Sequence, residues 1–266
     1  MVQREVLRLK KQKQIEDVEM NLTDHLTELR KRIIWTLVSF VAFFITGFIF
    51  IKDIYEFFVS DLAFDLHVTS PGEIIWIYFS MASIVALIGT LPILSLQIWL
   101  FVKPALTPKE TKVSLSYIPA IFLLFLAGLT FGYVIFIQLI LPFLLSLNDG
   151  MFNEIFTVDR YFKFLFRVTI PFAILFEIPI ITMFLTSLGV INPVMLVKIR
   201  KYAYFVLIII GTMISPPDFI LQLVTAVPLI ILYEVSIILS RVVYRKKLKH
   251  HREFMEQDFE DDEYGS

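Results

Sequence analysis

The sequence predicts an all-α, polytopic membrane protein with six transmembrane helices and both termini in the cytoplasm. Three observations carry this. Apolar residues make up 57% of the 266-residue chain and charged residues only 18%, against about 45–50% and about 25% in soluble domains. The mean hydropathy is +0.76. The apolar residues fall in long runs, and a helix needs only about 20 of them to cross a core roughly 30 Å thick. Finally, about 20 of the 24 Lys and Arg fall in the N-terminal arm, the second and fourth connections and the C-terminal tail. Such a bias marks the cytoplasmic side, and an even number of spans agrees with it.

Residues 1–20 form a polar arm of mixed charge, too charged for a cleaved signal peptide. The six-helix domain is expected over 21–244. It begins with a short amphipathic helix, in which Leu22, Leu26, Leu29 and Ile33 share one face. The spans are expected at 33–51, 74–101, 113–147, 161–188, 202–214 and 219–239. The third is long enough to tilt or kink, with Pro119 and Pro142 as candidate kinks. It also holds Gly128 and Gly132, whose spacing permits close helix contact. Pro171 and Pro179 lie inside the fourth span. The fifth has an apolar run of only about 20 Å at 1.5 Å per residue, short of a bilayer core. Residues 245–266 form a charged C-terminal tail, basic and then acidic, whose composition predicts disorder.

The candidate functional positions are polar residues that interrupt apolar sequence. The stretch from Phe101 to Glu110 contains Pro104 and Pro108, which prevent a continuous helix. A rigid surface loop bearing one aromatic and one carboxylate suits recognition of a cation; the plainer alternative is a tight connection between two helices. Glu177 lies near the middle of the fourth span, where a charge costs a few kcal/mol. It is paired, water-exposed, protonated, or bonded to a neighbouring helix. Asp218 and Glu234 lie nearer the ends of the sixth span. Zero cysteines exclude disulfides and thiolate chemistry. Phosphate-loop, metal-ligand and nucleophile motifs are missing from the sequence. The expectation is therefore no enzyme activity, no cofactor, no metal and no nucleic-acid partner.

Five segments together resemble one family. They are His25 to Arg32, Ser70-Pro71-Gly72-Glu73, Phe101 to Glu110, Phe176-Glu177-Ile178-Pro179 and Ser215-Pro216-Pro217-Asp218. In this order they are similar to the signature segments of TatC, the multi-spanning receptor subunit of the twin-arginine protein translocase. The resemblance implies a receptor in the cytoplasmic (inner) cell membrane that binds the twin-arginine signal peptides of folded precursors. Export then uses the proton-motive force, with TatA/TatB-type single-span subunits, other copies of the same chain and membrane lipid as partners. It implies signal-peptide contacts at Glu28, Arg30, Phe101 and Glu110, an intramembrane polar role for Glu177 and Asp218, and an extracytoplasmic loop motif at Ser70, Pro71 and Glu73.

The chemistry agrees. A planar carboxylate accepts two hydrogen bonds from a guanidinium in a geometry lysine cannot copy, and an aromatic ring beside it adds about 0.5–2 kcal/mol. Glu28 has a simpler reading as an i,i+4 partner of Arg32, worth about 0.2–0.5 kcal/mol. The competing functions are a proton-coupled secondary transporter of small cations, using Glu177 and Asp218, and a structural scaffold in which Glu177 only joins helices.

Overall fold

The structure is a computed structural model. It describes the backbone of residues 2–60, 62, 64–103, 111, 114–148, 155–215 and 218–264, with side chains between residues 26 and 248. The helices are α1 (Val2–Ile49), α2 (Ile51–Val59), α3 (Pro71–Val102), α4 (Tyr117–Ile135), α5 (Leu141–Ser146), α6 (Val158–Leu175), α7 (Ile178–Leu188), α8 (Pro193–Ile214) and α9 (Phe219–Tyr264). Two short strands, β1 (Leu66–His67) and β2 (Phe156–Thr157), pair in parallel.

Among the described residues, five helical stretches have the length and composition to cross a membrane: Leu26–Ile49, Pro71–Val102, Tyr117–Ser146, Val158–Leu188 and Phe219–Leu248. The sequence predicts a sixth at 202–214. The structure gives that segment a longer helix with a mixed composition. Asn192 caps α8 by accepting from the amide of Met195 (2.7 Å), and Pro193 occupies the first turn. Proline is favoured there because its missing N–H is not needed. Lys198, Arg200 and Lys201, expected in a loop, therefore lie on the helix, and only 202–214 remains apolar.

Proline does not act uniformly. Pro119 falls in the first turn of α4, where its missing N–H is not needed. Pro142 opens α5 directly after a π-helical turn at Phe136–Ile140. The wider turn accommodates a residue that lacks a donor and crowds the carbonyl four residues earlier. The fourth span is two helices rather than one: α6 ends at Leu175, Phe176 and Glu177 form a turn, and α7 begins with Pro179 in its first turn. Beyond the sixth span, where a disordered tail is expected, the backbone continues as helix to Tyr264. Lys, Arg and Glu are good helix formers, and a stable apolar span supplies the nucleus.

The core centres on α6. Phe162 and Phe172 are fully buried there, along with Phe136 and Met81 from neighbouring elements. Aromatic rings meet edge-on, as at Phe58–Phe162 and Phe131–Phe172, an arrangement that adds to area burial. Helix α2, unforeseen in the loop at 52–73, closes this end. Phe58 packs on Phe162 and Phe166, and its carbonyl accepts from the hydroxyl of Tyr161 (3.4 Å).

The glycine pair of α4 sets its distance from α6. A Cβ on Gly128 would stand 2.7 Å from the Cα of Ala173, and one on Gly132 would stand 2.8 Å from the Cα of Thr169. These are backbone atoms that cannot step aside. Gly128→Leu is expected to lower the thermal unfolding midpoint in detergent by the equivalent of about 1–3 kcal/mol. Gly72→Ala, whose Cβ meets nothing nearer than 3.9 Å, should leave it unchanged.

Candidate functional site

The expected site residues separate into three places along the helices. Helix α3 has 32 residues, roughly 48 Å at 1.5 Å per residue, so Ser70 and Phe101 mark opposite ends.

At the Phe101 end, α1 and α3 run together. Arg32 donates to Glu28 (2.8 Å) and to the side chain of Gln97 on α3 (3.2 Å). The simpler reading of Glu28 therefore holds among the described contacts: it pairs with Arg32 one turn on. Arg30 is exposed. Phe101 is half-buried, one turn beyond Gln97. A groove of about 430 Å³ runs from it between α1 and α3, with Leu29, Ile33, Phe40, Leu94 and Ile98 among its walls. Thr90 contributes a buried hydroxyl with no hydrogen-bond partner in the described structure. The structure thus brings Phe101 beside the segment that carries Glu28 and Arg30. Glu110, with residues 104–109, lies outside the described residues. The flanks of that segment are joined: the indole of Trp99 donates to the hydroxyl of Ser114 (2.9 Å, buried), and Lys103 sits 5.4 Å over the Trp99 ring.

Inside the bundle, Glu177 is 7% exposed at the turn between α6 and α7. Neither carboxylate oxygen has a hydrogen-bond partner among the described residues. The backbone explains its position. The Glu177 amide reaches Ile174 O (3.1 Å), and Pro179 has no N–H to offer the chain behind it.

At the Ser70 end the motif builds a helix start. Ser70 is extended, Pro71 opens α3, and Glu73 accepts from the Thr69 amide (3.1 Å) and from the Thr69 hydroxyl. In return, the Glu73 amide reaches Ser70 O (3.1 Å). The Thr69 and Glu73 amides at the helix start are thereby satisfied, with no bond from the Ser70 side chain. Asp218 plays the equivalent part for α9, accepting from Ile220 N (2.9 Å) and Leu221 N (3.1 Å). Arg167 of α6 donates to Met213 O near the end of α8 (3.1 Å). Arg167 is nine residues into its helix, roughly 14 Å along it, so the end of α8 lies well below the start of α6.

The pairing of Glu234 escaped the sequence reading. Arg200 pairs with Glu234 at 2.9 and 3.0 Å, and the Tyr204 hydroxyl donates to the same carboxylate. The signal was present as opposite charges in successive apolar segments, but the facing of two helices is not written in either one.

The comparisons with known proteins bear on this geometry. The family described as "Sec-independent protein translocase protein (TatC)" matches residues 24–228. The chain belongs to the TatC family. It is 47% identical over 231 residues to the Sec-independent protein translocase protein TatCd of Bacillus subtilis (strain 168), covering 87% of this chain and 96% of that one. It is 34% identical over 235 residues to the TatC of Aquifex aeolicus (strain VF5), covering 86% and 98%. A crystal structure titled as the twin-arginine translocase receptor TatC superposes with a TM-score of 0.71 at 32% identity, covering 82% of this chain and 99% of that one. The TatC match makes the chain a multi-pass membrane component of a protein translocase.

The capping geometry has a direct consequence. Asp218→Ala should cost about 1 kcal/mol of stability, read as a lower unfolding midpoint in detergent. Asp218→Ser should recover most of it. Equal midpoints for Asp218→Ala and the parent would remove the capping role.

Proposed function

We propose that this TatC-family protein is the receptor that reads twin-arginine signal peptides of folded precursors at the cytoplasmic face. Phe101, Glu110, Glu28 and Arg30 form the recognition surface. In this reading the arginine pair meets the Glu110 carboxylate, Phe101 stacks on a guanidinium or seats an apolar residue, and Glu28 exchanges its Arg32 partner for the ligand. The observation that carries the reading is the joining of Phe101 to the α1 segment across one apolar groove. A signal peptide needs a charged mouth beside an apolar path, and the Phe101 end offers both. Export with single-span TatA/TatB-type subunits and further copies of the chain, driven by the proton-motive force, completes the proposal. The transporter alternative is set aside because Asp218 is occupied as a cap.

We further propose six spans with both termini in the cytoplasm of a cell whose inner membrane holds the protein. Helix α8 is the sixth, short span. The distribution of Lys and Arg supports this orientation. The Arg200–Glu234 pair supports it too, because it neutralises a cation where α8 enters the hydrocarbon. A short span is accommodated by thinning the bilayer around it.

Binding of a labelled twin-arginine peptide to the purified protein tests the receptor reading. The parent should prefer it to the double-lysine peptide, and both Glu110→Ala and Glu110→Gln should abolish the preference, a loss of about tenfold or more. Undiminished binding by those variants would sink the assignment. For the span, nitroxides placed at Lys201 and Asp218 should both report aqueous contact, with protection confined to the roughly 20 Å between them. Protection reaching past either position would contradict a thinned membrane.

A further inference from the structure

The seam between α1 and α3 is closed in the half toward Ser70 and open in the half toward Phe101. The two helices run antiparallel, with Gly47 against Ala82, Phe43 against Gly89 and Arg32 against Gln97. A Cβ on Gly47 would stand 2.9 Å from the Val85 Cβ, and the Phe43 ring fills the space where a side chain on Gly89 would stand. One turn nearer the Phe101 end the helices part. The groove of about 430 Å³ begins there, between Phe40 on α1 and Leu87 and Thr90 on α3. It therefore ends where Phe43 closes the seam. Thr90 stands 11 residues before Phe101, roughly 16 Å along the helix.

Thr90 differs from the other hydroxyls of these two helices. Those of Thr36, Ser39, Thr46, Ser80, Ser83 and Ser95 each donate to the carbonyl four residues earlier, the common habit of a hydroxyl within a helix. Thr90 is 5% exposed, lines the groove, and has no hydrogen-bond partner among the described residues. An unpaired hydroxyl in an apolar setting costs free energy, and a lipid chain lying in the groove would leave it unpaired. A peptide segment at this depth must be helical to satisfy its own backbone, and a helix docks in a groove through one face. Eleven residues make close to three whole turns, so the residues of such a helix level with Phe101 and with Thr90 share that face. What remains free to meet Thr90 is a side chain. A serine or threonine there can donate to its own helix and still accept from Thr90, because a hydroxyl has one donor and two acceptor sites. An aliphatic residue can do neither.

We propose that Thr90 is a specificity-determining residue. It donates to a serine or threonine in the apolar segment of the signal peptide, about three helical turns from the residue seated at Phe101. The inference rests on the signal-peptide reading and adds to it a second point of recognition, at the deep end of the groove.

The test is a binding series on the full-length protein in detergent. Each labelled peptide carries the arginine pair and a leucine–alanine apolar segment in which one serine is moved residue by residue, with alanine at the same position as its reference. The parent should bind the serine peptide about threefold tighter than its reference at one position, about three turns beyond the arginine pair, and no tighter elsewhere. T90V keeps the branched shape and should bring that ratio to one, whatever it does to the affinity itself. T90S should keep the ratio. T46V removes a hydroxyl from α1 outside the groove and should leave the ratio unchanged. A ratio that survives in T90V, vanishes in T46V, or stays at one for every position in the parent would overturn the proposal. The double-lysine peptide separates the two readings. A parent that prefers the arginine pair but shows no serine optimum overturns the role of Thr90 alone, whereas a parent without the arginine preference overturns both.

Discussion

The contact between α4 and α6 is the constraint on which the rest of the bundle depends. In a bilayer the lipid tails are as apolar as the side chains, so helices gain little by merely hiding hydrocarbon from it. They associate through close packing and the contacts that follow. Gly128 and Gly132 let two backbones touch, with no room for a single methyl group. The same device recurs at each outer seam: Gly47 lies against Ala82 between α1 and α3, and Gly211 against Ala226 between α8 and α9. Once α4 is fixed on α6, Phe131 can reach Phe172 and Phe176. The turn after Phe176 then carries Glu177 into the interior rather than out to lipid.

That centre explains the uneven burial of the spans. The most apolar window of α6–α7 is 44% buried, whereas that of α1 is 6% buried. Helix α1 packs chiefly on α3, and most of its apolar side chains face outward. The proposed recognition surface lies on the seam between this least buried span and α3, its chief neighbour among the described residues. At the Ser70 end, by contrast, α2, the strand pair and the aromatic cluster lock the connections together.

Much of this was legible in the sequence, because membrane helices are specified by composition over long windows. The positions of α3, of the apolar part of α1 and of the apolar start of α9 follow from their runs alone. What the runs do not encode is how a helix ends within hydrocarbon. A proline costs a donor wherever it stands, yet Pro119 costs nothing at a first turn, Pro142 is absorbed by a π turn, and Pro179 marks a complete break. The outcome depends on the preceding turn and its packing, which single-residue rules do not contain. Asn192-Pro193 was a readable start for α8, overridden by the charges that follow it. The candidate site divided similarly. The structure brings Phe101 and the α1 segment to one groove. The engagement of Glu28 by Arg32 followed from their spacing, while the bridge from Arg32 to Gln97 required the rotation of two helices.

Glu177 is where the scaffold reading is weakest. A carboxyl group retained only to join helices should be hydrogen-bonded, since the bond is what repays its desolvation. Among the described residues its oxygens have no partner, so it contributes no such join. Its surroundings are also not apolar throughout. Pro179 leaves the carbonyl of Leu175, four residues earlier, without its usual amide. Broken helices in membranes are tolerated where the freed groups line a cavity or meet another protein. The break and the acid therefore belong together. The chain bears the cost of both at one point, one turn beyond its tightest helix contact.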